Sequence, residues 1–166
     1  MTVPITLTVN GVAYPVDVHP HASLLRTVRE EVGLTGSKEG CDDSECGACM
    51  MLLDGRPVNS CSYLAVQADG SSVTTVEGLA PGVGPDGLAD LQAAFLRFGG
   101  VQCGFCTPGM LVSATALLER TPRPDEDEIR IALSGNLCRC TGYDGIVKAV
   151  AAVAAERANR PAPLPD

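Results

Sequence analysis

Apolar and polar residues alternate through "ITLTVNGVAYPVDV", on both sides of Asn10-Gly11. A period of two reads as half-buried strand, and Asn-Gly between two such runs is the strongest short hairpin signal. The period then changes. In "SLLRTVREEVG", Leu24, Leu25, Val28 and Val32 fall at helical spacing, with Ser23 as the candidate cap and Gly33 as the stop. After a cysteine-rich loop, "CMMLLDGRPVNSC" predicts a strand, an Asp-Gly turn and a second strand, and "SVTTVEGL" predicts another short strand. The sum is a small mixed sheet with one helix across it.

The pattern changes again near Pro81. "APGVGPDG" reads as a linker over residues 81–87. Beyond it come four helical patterns: "LADLQAAFLRFG", "PGMLVSATALLER", "DEDEIRIALSG" and "IVKAVAAVAAERA". Asp125 followed by Glu128 predicts a capping box with Asp as the cap, and Pro108 suits a first helical turn. Four helices of about three turns with short connections predict a compact bundle. The tail "NRPAPLPD", residues 159–166, cannot sustain a helix. The expected organisation is α+β, with a sheet-and-helix domain over residues 1–80 and a helical domain over residues 88–158.

Composition narrows the function. The chain has 166 residues, 45% of them hydrophobic, so it can build packed cores. The formal charge of −8 and the lack of a Lys/Arg cluster argue against nucleic acid. "MTVPITLTVN" lacks the basic and apolar regions of a secretory signal, and no apolar run approaches the roughly 20 residues of a membrane span. The expected location is the cytoplasm. Thiols stay reduced there, so the eight cysteines read as metal ligands before disulfides.

Those cysteines divide four and four between the two expected domains. Cys41, Cys46, Cys49 and Cys61 follow the spacing C-x4-C-x2-C, then eleven residues, then C. The first three match the plant-type [2Fe–2S] loop, although the last cysteine of such ferredoxins lies much further along the chain. Gly40 and Gly47 free the backbone to curl, which turns N–H groups toward anionic sulfur. A structural zinc site is the rival, but it usually pairs two short knuckles. The second set is "QCGFCTPGM" and "SGNLCRCTGY", with Cys103, Cys106, Cys138 and Cys140 in loops at helix boundaries. A redox-active dithiol is its rival, although such motifs belong in a βαβ setting. In the iron–sulfur reading, Cys138 and Cys140 on one turn could grip one iron while Cys103 and Cys106 grip the other.

Taken together, "GCDDSECGACMMLLDG", "QCGFCTPGM" and "GNLCRCTGY" resemble the small iron–sulfur subunit of the xanthine oxidase and carbon monoxide dehydrogenase family of molybdenum hydroxylases. The likeness runs from about Ile5 to Ala155. It implies an N-terminal β-grasp ferredoxin-like domain and a C-terminal four-helix bundle with pseudo-twofold symmetry, each holding one [2Fe–2S] cluster. It implies that electrons pass from a molybdopterin (molybdenum) cofactor in a large subunit, through both clusters, to FAD in a medium subunit. It also implies a heterotrimer, itself able to dimerise, and contacts to the pterin from Gln102 and Cys140. This chain would then be the iron–sulfur subunit of an oxidoreductase, with no catalytic residue of its own for substrate chemistry.

Other residues have plainer readings. Asp42 to Glu45 read as a solvated loop edge, Met50 and Met51 as core filler, and His19 and His21 as surface positions. "RPDEDE" reads as a charged helix start. A free-standing ferredoxin-like carrier and a redox sensor are alternative functions, but a carrier would need one domain only.

Overall fold

A computed structural model of the chain describes residues 1–80 and 87–159. The expected linker, apart from Gly87, lies outside the described residues, as does the tail beyond Asn159.

The hairpin forms around Asn10-Gly11, with β1 over Val3–Val9 and β2 over Val12–Val18. Asn10 and Gly11 both take positive φ, 50° and 82°, as a tight hairpin turn demands. Helix α1 spans Leu24–Glu30, and the Ser23 hydroxyl accepts from the Arg26 N–H at 3.2 Å. It stops three residues before Gly33, whose φ of +81° carries the chain away. Strands β3 (Met50–Leu53) and β4 (Arg56–Asn59) flank the Asp54-Gly55 turn. Strand β5 covers only Ser72–Thr74, and the rest of that run, Val76–Gly78, winds into a 3-10 turn.

The sheet order is β2-β1-β5-β3-β4. Strands β1 and β5 pair in parallel, and the other neighbours are antiparallel. Leu24, Leu25 and Val28 of α1 share a buried core with Leu7, Val9, Met51 and Val73 from the strands. This is the β-grasp arrangement that the resemblance implies.

The helical half holds α2 (Asp90–Arg97), α3 (Thr107–Arg120), α4 (Glu126–Leu133) and α5 (Asp144–Ala158). The expectation of about three turns each fails. α2 and α4 have 8 residues, while α3 and α5 have 14 and 15. The capping box of α4 forms both ways: the Glu128 N–H donates to Asp125 at 2.8 Å, and the Asp125 N–H donates to Glu128 at 2.9 Å. Phe95, Met110, Ile129, Ile146 and Val150 are fully buried in the second core. Among the described residues no helix is long and apolar enough to cross a membrane.

A third cluster joins the halves, where Leu52 of β3 packs on Val112 and Ala116 of α3. Burying one such aliphatic side chain contributes about 1.5–3 kcal/mol. The approach depends on Gly109, because a Cβ there would be driven into the Gly47 carbonyl of the first cysteine loop. Gly135, nearby in sequence space to the second loop, has open space around it and an ordinary φ.

Gly109→Ala should therefore cost about 1–3 kcal/mol in chemical denaturation, because a packed backbone contact must open. Gly135→Ala should stay within about 0.5 kcal/mol of wild type. Equal stabilities for the two variants would contradict the close approach.

Candidate metal centres

The first cysteine loop is anchored before it begins. Arg29 of α1 donates to the carbonyls of Thr35 at 2.8 Å and Ser37 at 2.7 Å, and the Lys38 N–H donates to Ala48 O at 3.0 Å. The loop then curls through three left-handed positions: Asp42 (φ 61°), Ser44 (φ 68°) and Gly47 (φ 68°). Non-glycine residues in that region are strained and concentrate at functional sites. The curl brings the Cys46 N–H to within 3.4 Å of Cys41 Sγ. Gly40 is needed for contact: a Cβ there would lie 2.8 Å from Cys46 Sγ and 3.3 Å from the Phe105 ring.

Cys61 follows β4 and meets Cys49, which precedes β3. The Ser60 hydroxyl fixes this pairing by donating to Cys49 O at 2.6 Å. Asn59 donates to Ser44 O at 3.1 Å and ties the loop to the same hairpin. The Ser62 and Ser44 hydroxyls stand 3.5 and 4.0 Å from Cys61 Sγ and also bond to each other. Burial pushes the Cys49 thiol up to about 12. Burial acts the same way on Cys61, but the Ser62 hydroxyl, the Cys49 thiol and Ser44 outweigh it, so Cys61 falls below the ordinary thiol value. Asp42, Asp43 and Glu45 are exposed and form the solvated edge expected of them, and Met51 is fully buried core. His19 and His21 are exposed beside each other, ring centres 5.4 Å apart.

The second set comes from two loops. Cys103 and Cys106 precede α3, and Cys138 and Cys140 lie between α4 and α5. Cys140 Sγ lies 3.5 Å from Cys103 Sγ, while Cys106 pairs with Cys138. Each pair thus takes one thiol from each loop.

Donors collect around these sulfurs as well. Thr141 approaches Cys138 Sγ with its hydroxyl at 3.1 Å and its N–H at 3.4 Å. Burial alone would raise Cys138, yet the Thr141 hydroxyl and N–H and the Cys140 N–H bring it down to about 7. The Phe105 N–H and the Cys140 thiol lower Cys103, and burial raises Cys106 to about 12. The Cys138 N–H donates to the Tyr143 hydroxyl at 2.8 Å, and Tyr143 is held at φ 70° to reach it. This site opens outward. Gln102, Cys103 and Cys140 are exposed, as are Phe105 (47%) and Leu137 (57%).

The two loops touch each other. The Leu137 N–H donates to Cys46 O at 2.9 Å. Asn136, 2% exposed, donates to Gly47 O at 3.0 Å and accepts from the Ser113 hydroxyl of α3 at 2.7 Å. Gly47 must be glycine on two counts, since a Cβ would lie 2.6 Å from Asn136 Nδ2 and the φ is left-handed. Sequence reasoning missed Asn136, Tyr143, Thr141, Ser44 and Phe105. Their signal was position: each stands within three residues of a cysteine inside a quoted motif.

The donor set fits two-iron clusters. Four thiols stand in two pairs at each site, with N–H and O–H donors aimed at sulfur. Among the described residues no three His, Cys, Asp or Glu side chains form a group that would hold a single metal ion.

Two domain families match in tandem. Residues 7–75 match a 2Fe-2S iron-sulfur cluster binding domain, and residues 75–151 match a [2Fe-2S] binding domain. The chain is 50% identical over 147 residues to the nicotinate dehydrogenase small FeS subunit of Eubacterium barkeri, covering 88% of this chain and 91% of that one. It is 51% identical over 148 residues to the nicotine 6-hydroxylase small subunit of Paenarthrobacter nicotinovorans, covering 89% and 87%. Its fold superposes on a chain of quinoline 2-oxidoreductase from Pseudomonas putida 86 with a TM-score of 0.89 and 47% identity, covering 95% of each. With tandem [2Fe–2S] domains and this fold, the chain belongs to the small iron–sulfur, electron-transfer subunits of the xanthine oxidase family of molybdenum hydroxylases.

Proposed function

We propose that Cys41, Cys46, Cys49 and Cys61 ligate one [2Fe–2S] cluster, shaped by Gly40 and Gly47, and that Cys103, Cys106, Cys138 and Cys140 ligate the other. When bound, each cluster supplies a one-electron donor and acceptor. The chain's own residues do the rest. Ser44, Ser62 and Thr141 stand where they would stabilise anionic sulfur, and the loops keep Cys49 and Cys106 dry. The observation that carries this reading is the joint between the loops. From Cys46, one carbonyl and one hydrogen bond lead to Leu137, the residue before Cys138. That is a short, rigid connection between the two thiol sets.

Exposure supports an arrangement of the partners. Gln102 and Cys140 lie on the open face of the helical site, which suits contact with the pterin of a molybdenum cofactor in the large subunit. The ferredoxin-like half would then serve FAD in a medium subunit, within a heterotrimer that can dimerise. Residues 1–80 and 88–158 act as the two cluster-bearing domains. Eight free cysteines suit work in the cytoplasm.

Cys106→Ser should abolish one of two EPR signals in the dithionite-reduced complex and leave the other, and Cys61→Ser should do the reverse. Loss of both signals in both variants, or of neither, would contradict the ligand sets. Gln102→Ala should leave both signals intact while slowing electron delivery or weakening retention of the molybdenum cofactor; unchanged kinetics and cofactor content would contradict the pterin contact. Removing iron by chelation should lower the thermal transition, because ligation and folding are coupled, and an unmoved transition would contradict that.

A further inference from the structure

Among the described residues one buried side-chain oxygen has no hydrogen-bond partner: Thr107 Oγ1. A hydroxyl shut away from water without a partner is destabilising, so its retention calls for an explanation. Thr107 is the first residue of α3 and directly follows Cys106. Its backbone is already satisfied, since its N–H donates to Gly104 O at 3.3 Å. The Gly104 carbonyl, three residues back, takes that N–H and not the hydroxyl. Among the described residues nothing partners this oxygen.

The other hydroxyls of the cysteine loops show what such a group does here. Ser62 and Ser44 reach Cys61 Sγ, and Thr141 reaches Cys138 Sγ. Thr107 directly follows Cys106, a buried thiol. A cluster held by Cys106 and its partners would bring strong sulfur acceptors to the start of α3, where Thr107 stands.

We propose that the Thr107 hydroxyl donates a hydrogen bond to a sulfur of the helical-domain [2Fe–2S] cluster and holds that cluster's reduction potential up. The inference rests on Cys106 being a ligand of that cluster. The proton stays on Oγ1 and no bond is broken. The effect arises because one-electron reduction adds negative charge to the cluster, and a donor to sulfur favours the more negative state.

The test is an EPR-monitored redox titration of the purified complex carrying Thr107→Val, which keeps the shape and removes the hydroxyl, beside Thr107→Ser, which keeps the hydroxyl. In Thr107→Val the helical-domain signal should titrate lower by up to about tenfold in its one-electron equilibrium constant, or about 59 mV, while the other signal stays put. Thr107→Ser should titrate as wild type. Pulsed EPR of wild type should also show an exchangeable proton coupled to the helical-domain cluster that is lost in deuterated buffer. That measurement decides the matter even if Thr107→Val fails to assemble: no such coupling in wild type would overturn the inference. So would an unchanged potential in fully loaded Thr107→Val. If instead Cys106→Ser kept the helical signal, the ligand assignment itself would be at fault.

Discussion

The Gly47 carbonyl is the contact on which the alignment of the two halves depends. It accepts from Asn136, and Gly109 is bare so that α3 can lie against it. Gly47 takes a left-handed φ to present it. Remove any one of these and the sheet half and the helical half would each still have a core of their own. What would be lost is the register between two cysteine loops. The apolar contact of Leu52 with Val112 and Ala116 supplies attraction between the halves, but it is small and non-directional. The polar joint sets the alignment, since buried hydrogen bonds tolerate little displacement.

Electrostatics explain why these loops are built so stiffly. Cys49 and Cys106 are buried, and burial strongly disfavours their thiolates. Each faces a partner, Cys61 or Cys138, whose thiolate is favoured by hydroxyl and N–H donors. An iron–sulfur cluster held by these thiols would need all of them deprotonated and would supply the positive charge that makes this possible. The strained positions at Asp42, Ser44 and Tyr143 belong to the same design, because each aims a loop group that relaxed backbone would turn elsewhere.

Much of this was legible in the sequence. The Asn10-Gly11 and Asp54-Gly55 hairpins, the Ser23 cap and the Asp125–Glu128 box depend on neighbours a few residues apart, so local pattern suffices for them. The cysteine spacings were enough to place both thiol sets in their loops. Helix ends were less legible: α1 stops before Gly33, and α2 and α4 are shorter than their apolar patterns, α2 closing in a turn at Gly99 and Gly100. The thiol pairing of the second set was invisible, since Cys103 meets Cys140 only through the folding of two distant loops. The same holds for Asn136, whose partners Gly47 and Ser113 lie 89 and 23 residues away.

The central claim is that one joint holds two clusters close enough to act as a unit. The most direct measurement is EPR of the fully reduced complex at low temperature, across two microwave frequencies. The joint predicts that both signals show splitting from spin–spin interaction between the clusters, constant in field units across frequencies. Two signals that add independently, with no mutual splitting at any temperature, would contradict it.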